Sequence, residues 1–78
     1  MFYTYVLKSL KDGKLYVGFS ENLKRRFSDH NKGLVNATKD RIPFKIVYYE
    51  ACLNKEQAIK REKQLKTGFG RAYLKTRI

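Results

Sequence analysis

Residues 2–8, FYTYVLK, and 14–20, KLYVGFS, alternate in side-chain character and are rich in aromatic and β-branched residues, which is the pattern of β-strands. The stretch between them, KSLKDGK, centres on Asp12–Gly13, the strongest short-range hairpin signal. Residues 21–31 predict a helix with Ser20 as N-cap, Leu23 and Phe27 as apolar stripe and Gly33 as stop. Residues 32–43 are polar, hold the only proline and predict a loop; residues 44–52, FKIVYYEAC, predict a third strand. Asn54 with Gln57 has the form of a capping box, and Leu53 with Ala58 that of a hydrophobic staple. A second helix is therefore expected over about 55–67, ending at Gly68, with GRAYLKTRI as a short terminal helix. The order is ββαβαα. A hairpin cannot also be a βαβ crossover, so at least part of the sheet is antiparallel, and residues 1–78 are expected to form one small α+β domain.

A turn centred on Asp12–Gly13 pairs residues whose numbers sum to 25. Tyr16 then opposes Ser9, Gly18 opposes Leu7 and Ser20 opposes Tyr5. Tyr3, Tyr5, Leu7, Tyr16 and Gly18 share one face; Phe2, Val6, Leu15, Val17 and Phe19 share the other, which is the expected core face. The tyrosine hydroxyls gather opposite the core, beside the gap left by Gly18. Tyrosines are also ordinary half-exposed strand residues, so this pattern fits either a site or a plain surface. In this register Tyr5 and Tyr16 stand about 13 Å apart and would do different jobs.

On the first helix, Glu21, Arg25 and Asp29 are spaced for a solvated ion-pair ladder. Arg26 instead shares a face with Leu23, Phe27 and His30. It either snorkels over the core edge or serves a site, and His30 on that face is either a hydrogen-bonded structural group or a functional one. On the second helix Ala58, Ile59, Leu65 and then Phe69 mark the buried stripe, and Glu62 falls inside it. A carboxylate there needs a cation. Lys66 at i+4 is one partner and a divalent metal is the other.

Composition narrows the classes. Seventy-eight residues leave room for one sheet, a few helices and a shallow site. No apolar run approaches the ~18 residues of a membrane span, and nothing reads as a signal peptide. The lone Cys52 cannot form an internal disulfide and reads as a small core residue; this fits a cytoplasmic setting. Eighteen Lys and Arg against seven Asp and Glu give a net charge of +11. Such a charge repels itself, and a polyanion offsets it, nucleic acid above all. Lys60, Lys63, Arg71 and Lys75 on the later helices are candidates for that surface. Phosphate-cradling glycine loops, zinc clusters and a Ser-His-Asp set are absent from the sequence.

TYV at 4–6, YVG at 16–18, NLKRRFSDHNKG at 22–33 and AIKREKQLK at 58–66 together resemble the GIY-YIG nuclease domain, most closely its short stand-alone bacterial members. The match runs in order along essentially the whole chain. The resemblance implies a three-stranded antiparallel sheet flanked by helices, and hydrolysis of DNA phosphodiesters with one divalent metal, Mg²⁺ or Mn²⁺. It makes Tyr5 and Tyr16 the two motif tyrosines, with Tyr16 approaching the nucleophilic water. Arg26 matches the catalytic arginine, His30 a frequent helper and Glu62 the metal-binding glutamate. Thr4 stands where the motif has glycine, Ser20 where threonine is frequent, and no asparagine follows Asn54.

The resulting expectation is a metal-dependent endonuclease acting on nucleic acid, DNA rather than RNA, in a repair or recombination setting. Without an attached DNA-binding domain it would cut with little sequence preference unless a protein partner supplied it. The rival is a non-catalytic basic module that keeps the fold and binds nucleic acid. A third reading is a basic protein docked in a repair or ribosomal assembly.

Overall fold

The computed structural model describes residues 1–78. Strands β1 (Phe2–Ser9), β2 (Leu15–Ser20) and β3 (Phe44–Cys52) form one antiparallel sheet in the order β2-β1-β3. Helix α1 (Leu23–Asn31) follows the hairpin. A 3₁₀ turn (Lys39–Arg41) precedes β3, and helices α2 (Lys55–Leu65) and α3 (Gly68–Lys75) close the chain. This is the expected α+β architecture. No helix is long and apolar enough to cross a membrane.

The hairpin register differs from the expected one by two residues. Tyr5 opposes Gly18, Leu7 opposes Tyr16 and Tyr3 opposes Ser20. Ser9 is the reason. Its amide donates to the Lys14 carbonyl at 2.9 Å and its carbonyl accepts from Gly13 at 2.9 Å. Its hydroxyl accepts from the amides of Lys11 and Asp12, both at 3.1 Å, and donates to the Arg41 carbonyl at 2.6 Å. Asp12–Gly13 thus closes a longer connection, with Gly13 at φ +72°, rather than forming the centre of a two-residue turn. A shift of two leaves every side chain on its face, because the strand period is two.

Both faces of the sheet are covered, where only the Phe2–Val6–Val17 face was expected to be core. Under α1, Tyr5, Leu7 and Phe44 pack with Leu23, Phe27 and Ile46. On the other face Val6, Val17, Leu65 and Leu74 pack with Val47, Tyr48 and Tyr73. Full burial of a leucine is worth roughly 1.5–3 kcal/mol, so Leu65 and Leu74 hold α2 and α3 to the sheet. Phe2 and Phe19 stack on each other, half-buried, and Leu15 is exposed.

Several boundaries move for identifiable reasons. Asn22, not Ser20, caps α1: its side chain accepts from the Arg25 amide at 3.0 Å, while the Ser20 hydroxyl bonds the Asn22 backbone. Glu21 therefore lies before the helix, and the Glu21–Arg25–Asp29 ladder does not form; the ion pairs of the protein are elsewhere. Gly33, at φ +76°, stops α1 as expected. The segment that follows is not a plain polar loop, for Val35 and Thr38 are buried.

The Asn54 cap accepts from the Gln57 amide at 3.2 Å, but Leu53 is 83% exposed and makes no staple. Helix α2 ends at Leu65 because Thr67 becomes the cap of α3, accepting from the Gly70 amide at 3.2 Å. A β-carbon on Gly70 would collide with the Leu65 backbone, so this glycine permits the close approach of α3 to α2. The turn carries Phe69 outward, 73% exposed and off the buried stripe. Cys52 is half-buried at the end of β3 rather than in the core.

Candidate active site

Tyr5 stands on the central strand directly opposite Gly18. Its phenol crosses β2 through the space a side chain on residue 18 would fill, since a β-carbon there would collide with the Tyr5 ring and hydroxyl. The gap expected beside Gly18 is thus occupied by Tyr5 itself. Crossing there takes the hydroxyl to His30 of α1, 2.8 Å from Nε2. Tyr16, two residues from Gly18 along β2, sets its ring edge-on to the same imidazole, with centroids 5.2 Å apart against 5.7 Å for Tyr5. The two tyrosines therefore converge on His30 instead of standing apart.

The proton arrangement follows from the chain of partners. His30 Nδ1 lies 2.7 Å from Thr38 Oγ1, which donates its only proton to the Val35 carbonyl at 3.4 Å. Thr38 must then accept from Nδ1–H. Nε2 is left bare and accepts from the Tyr5 hydroxyl. Burial holds the imidazole pKa down to about 4, with the Arg26 guanidinium acting the same way and Asp29 opposing. His30 is neutral near pH 7. Burial also raises the Tyr5 pKa, the Arg26 guanidinium opposes it, and Tyr16 and Glu62 add to it.

These values decide what the pair can do. Burial moves the two groups in opposite directions, the phenol up and the imidazole down, so proton transfer from Tyr5 to His30 is uphill. Tyr5 and His30 form a fixed framework in the resting protein, not a ready base. Tyr5 is buried, whereas Tyr16 is part-exposed and able to meet solvent.

The flanking charges come from two helices. Arg26 is half-buried on α1, close enough to Tyr5 and His30 to shift both, whereas Arg25 is exposed. Glu62 reaches the same neighbourhood from α2. Its carboxylate is 21% exposed and pairs with Lys66 at 3.1 Å, the lysine being 52% exposed. Thr4, which replaces the motif glycine, is buried and donates to the Ala58 carbonyl at 2.7 Å. The residue beside Tyr5 thereby pins α2 one turn before Glu62. Neither this bond nor the part played by Thr38 left a signal in the sequence. Thr38 lies in a polar stretch, and Thr4 reads as one more β-former.

A divalent ion fits these groups in one way. No group of three or more His, Cys, Asp or Glu side chains is gathered here, and His30 has both ring nitrogens engaged. Glu62 supplies a single hard oxygen donor. That suits Mg²⁺, which keeps most of its water and takes one or two carboxylates together with substrate phosphate oxygens. Lys60 and Lys63 are exposed on α2, and Arg71 and Lys75 on α3.

Comparison with known proteins agrees with this geometry. A family model described as the GIY-YIG catalytic domain matches residues 1–75. A UPF0213 protein of Staphylococcus saprophyticus is 41% identical over 66 residues, covering 83% of this chain and 79% of its own. One from Clostridium perfringens is 43% identical over 67 residues, covering 85% and 71%. The solution NMR structure of the UPF0213 protein BH0048 of Bacillus halodurans superposes with a TM-score of 0.59 at 31% identity, covering 97% of this chain and 84% of that one. A match over nearly the whole length, together with relatives above 40% identity, makes this chain a member of the GIY-YIG catalytic-domain family.

Proposed function

We propose that the chain is a metal-dependent endonuclease that hydrolyses DNA phosphodiester bonds with little sequence preference. The observation that carries this reading is the convergence of Tyr5, Tyr16 and Arg26 on His30, with the Glu62 carboxylate close enough to act on Tyr5. Two strands and two helices supply that set. Tyr16 orients the attacking water. Arg26 stabilises the charge that develops on the phosphate oxygens. Tyr5, held by His30 and Thr38, fixes the depth at which Tyr16 and Arg26 sit. Glu62 would hold a divalent ion, which when bound supplies Lewis-acid stabilisation of the phosphate.

One observation favours a second reading. Lys66 already pairs with Glu62, and a module that binds nucleic acid without cutting it needs no more than that. Incubation of the purified protein with single-stranded, duplex and branched DNA, and with RNA, in Mg²⁺, Mn²⁺ or chelator separates the two. Cleavage that needs the metal and is lost in Glu62→Gln supports the nuclease. Tight binding with no cleavage in any metal supports the module.

A further inference from the structure

The sheet face opposite α1 carries a groove of about 1080 Å³. It runs between the turn end of the hairpin and α3. Leu15, Val47 and Ile78 form its accessible apolar floor above the buried Val17, Leu65 and Leu74, and every charged side chain that lines it is a cation. The ion pairs of the protein are Arg41–Asp12, Arg61–Glu50 and Lys66–Glu62. Lys8, Lys14, Lys45, Arg71 and Lys75 therefore stand around the groove without a carboxylate. Lys8 and Lys45 are direct cross-strand partners, an arrangement that costs stability. Folding gains nothing from gathering these charges; a polyanionic ligand does.

We infer that this groove is the path of a single nucleic-acid strand. The inference rests on the nucleic-acid half of the proposed function and not on cleavage. The apolar floor selects the strand form. A duplex keeps its bases inside and presents phosphate, leaving the floor uncovered. A single strand presents phosphates to the lysine rim and base and sugar faces to Tyr16, Leu15 and Val47. The groove also adjoins the candidate active site, because Tyr16 and Lys66 line it and Lys66 holds Glu62. A strand lying there leads toward the tyrosines.

The test is fluorescence anisotropy of a labelled oligo-dT with the full chain in EDTA, which removes any contribution from cleavage. The variant Lys8→Gln/Lys45→Gln/Arg71→Gln/Lys75→Gln is compared with Lys24→Gln/Lys32→Gln/Lys39→Gln/Lys55→Gln, which lowers the charge equally elsewhere. The groove variant should bind at least ~30-fold more weakly near 0.1 M salt, and its slope of log K against log salt should fall by about 3. The control should lose several-fold less. Lys8→Gln/Lys45→Gln alone, which relieves a repulsion and so keeps the fold, should already lose roughly 5-fold. Equal losses in the groove and control variants overturn the groove. A duplex of equal length that competes as well as the single strand overturns the strand assignment. Groove-dependent binding without cleavage in any metal upholds the groove while removing the nuclease; metal-dependent cleavage with groove-independent binding does the reverse.

Discussion

The phenol of Tyr5 occupies the space that a side chain on Gly18 would take, and this contact across the β1–β2 pair is what delivers its hydroxyl to His30. The glycine serves a neighbour's side chain and not its own backbone, which has no positive φ.

Gly18→Ala is therefore expected to cost about 1–3 kcal/mol, the range for overpacking a filled site, and to displace Tyr5 from His30. Tyr5→Ala should remove the collision. In a double-mutant cycle read by urea unfolding, Tyr5→Ala/Gly18→Ala should then be less destabilised than the two single losses added together. Additive losses would show that the clash is relieved elsewhere.

The buried imidazole makes stability depend on pH. The His30 pKa is lowered from 6.5 to about 4 in the folded protein, so the unfolded chain binds the proton more readily. Stability is full above pH 6.5 and is lost as pH falls toward 4, by up to about 3 kcal/mol. Asp12, lowered from 3.8 to about 2, and Glu50, lowered from 4.5, act mainly below pH 5, at the acid end of that span and beyond it. Unfolding free energies between pH 7 and 5 should slope downward with acid in the wild type and lie nearly flat in His30→Gln.

Arg25 and Arg26 are neighbours in sequence with different surroundings: Arg25 is exposed, and Arg26 acts on both Tyr5 and His30. Arg26→Ala should lower cleavage by at least about 100-fold, the scale of losing one preorganised charge donor. Arg25→Ala should change it little. NMR titration should show the His30 pKa rising in Arg26→Ala alone, because a repelling cation has gone. Equal effects of the two variants would mean that only summed charge matters.

Glu62→Gln should abolish metal-dependent cleavage and weaken Mn²⁺ binding in calorimetric titration. DNA binding in chelator should hold or improve, since a negative charge has left the neighbourhood of the phosphate. Lys66→Ala separates this from loss of the ion pair, which for a partly exposed i,i+4 pair is worth on the order of 0.5 kcal/mol. Undiminished cleavage by Glu62→Gln would remove the residue from the metal site.

Thr4→Val keeps the shape of the side chain and deletes the bond to the Ala58 carbonyl. Loss of a buried hydrogen bond that leaves its acceptor in an intact helix should cost about 1 kcal/mol. If Thr4 also sets the position of Glu62, the metal concentration for half-maximal cleavage should rise in this variant while binding of DNA in chelator stays unchanged.

The strands, three helices and their order are legible along the chain because each rests on local chemistry. β-branched and aromatic runs form the strands, Asn54 and Gly33 mark helix limits, and the side-chain faces of β1 and β2 follow from a period of two that a shift of two residues leaves intact. The resemblance to the family motif likewise picks out Tyr5, Tyr16, Arg26, His30 and Glu62 as candidates in sequence order. What only tertiary structure decided were choices between groups of similar local fitness. The turn expected at Asp12–Gly13 became a longer connection because the Ser9 hydroxyl bonds the Lys11 and Asp12 amides and also reaches the Arg41 carbonyl, 32 residues away. The expected cap of α1, Ser20, gave way to Asn22, whose side chain reaches the Arg25 amide. Thr38 became the partner of His30 because the chain after Gly33 folds back over α1. The distance between Tyr5 and Tyr16 belongs to the same class, since it depends on the register and on the path of the Tyr5 ring over Gly18, and both are set by contacts far apart along the chain.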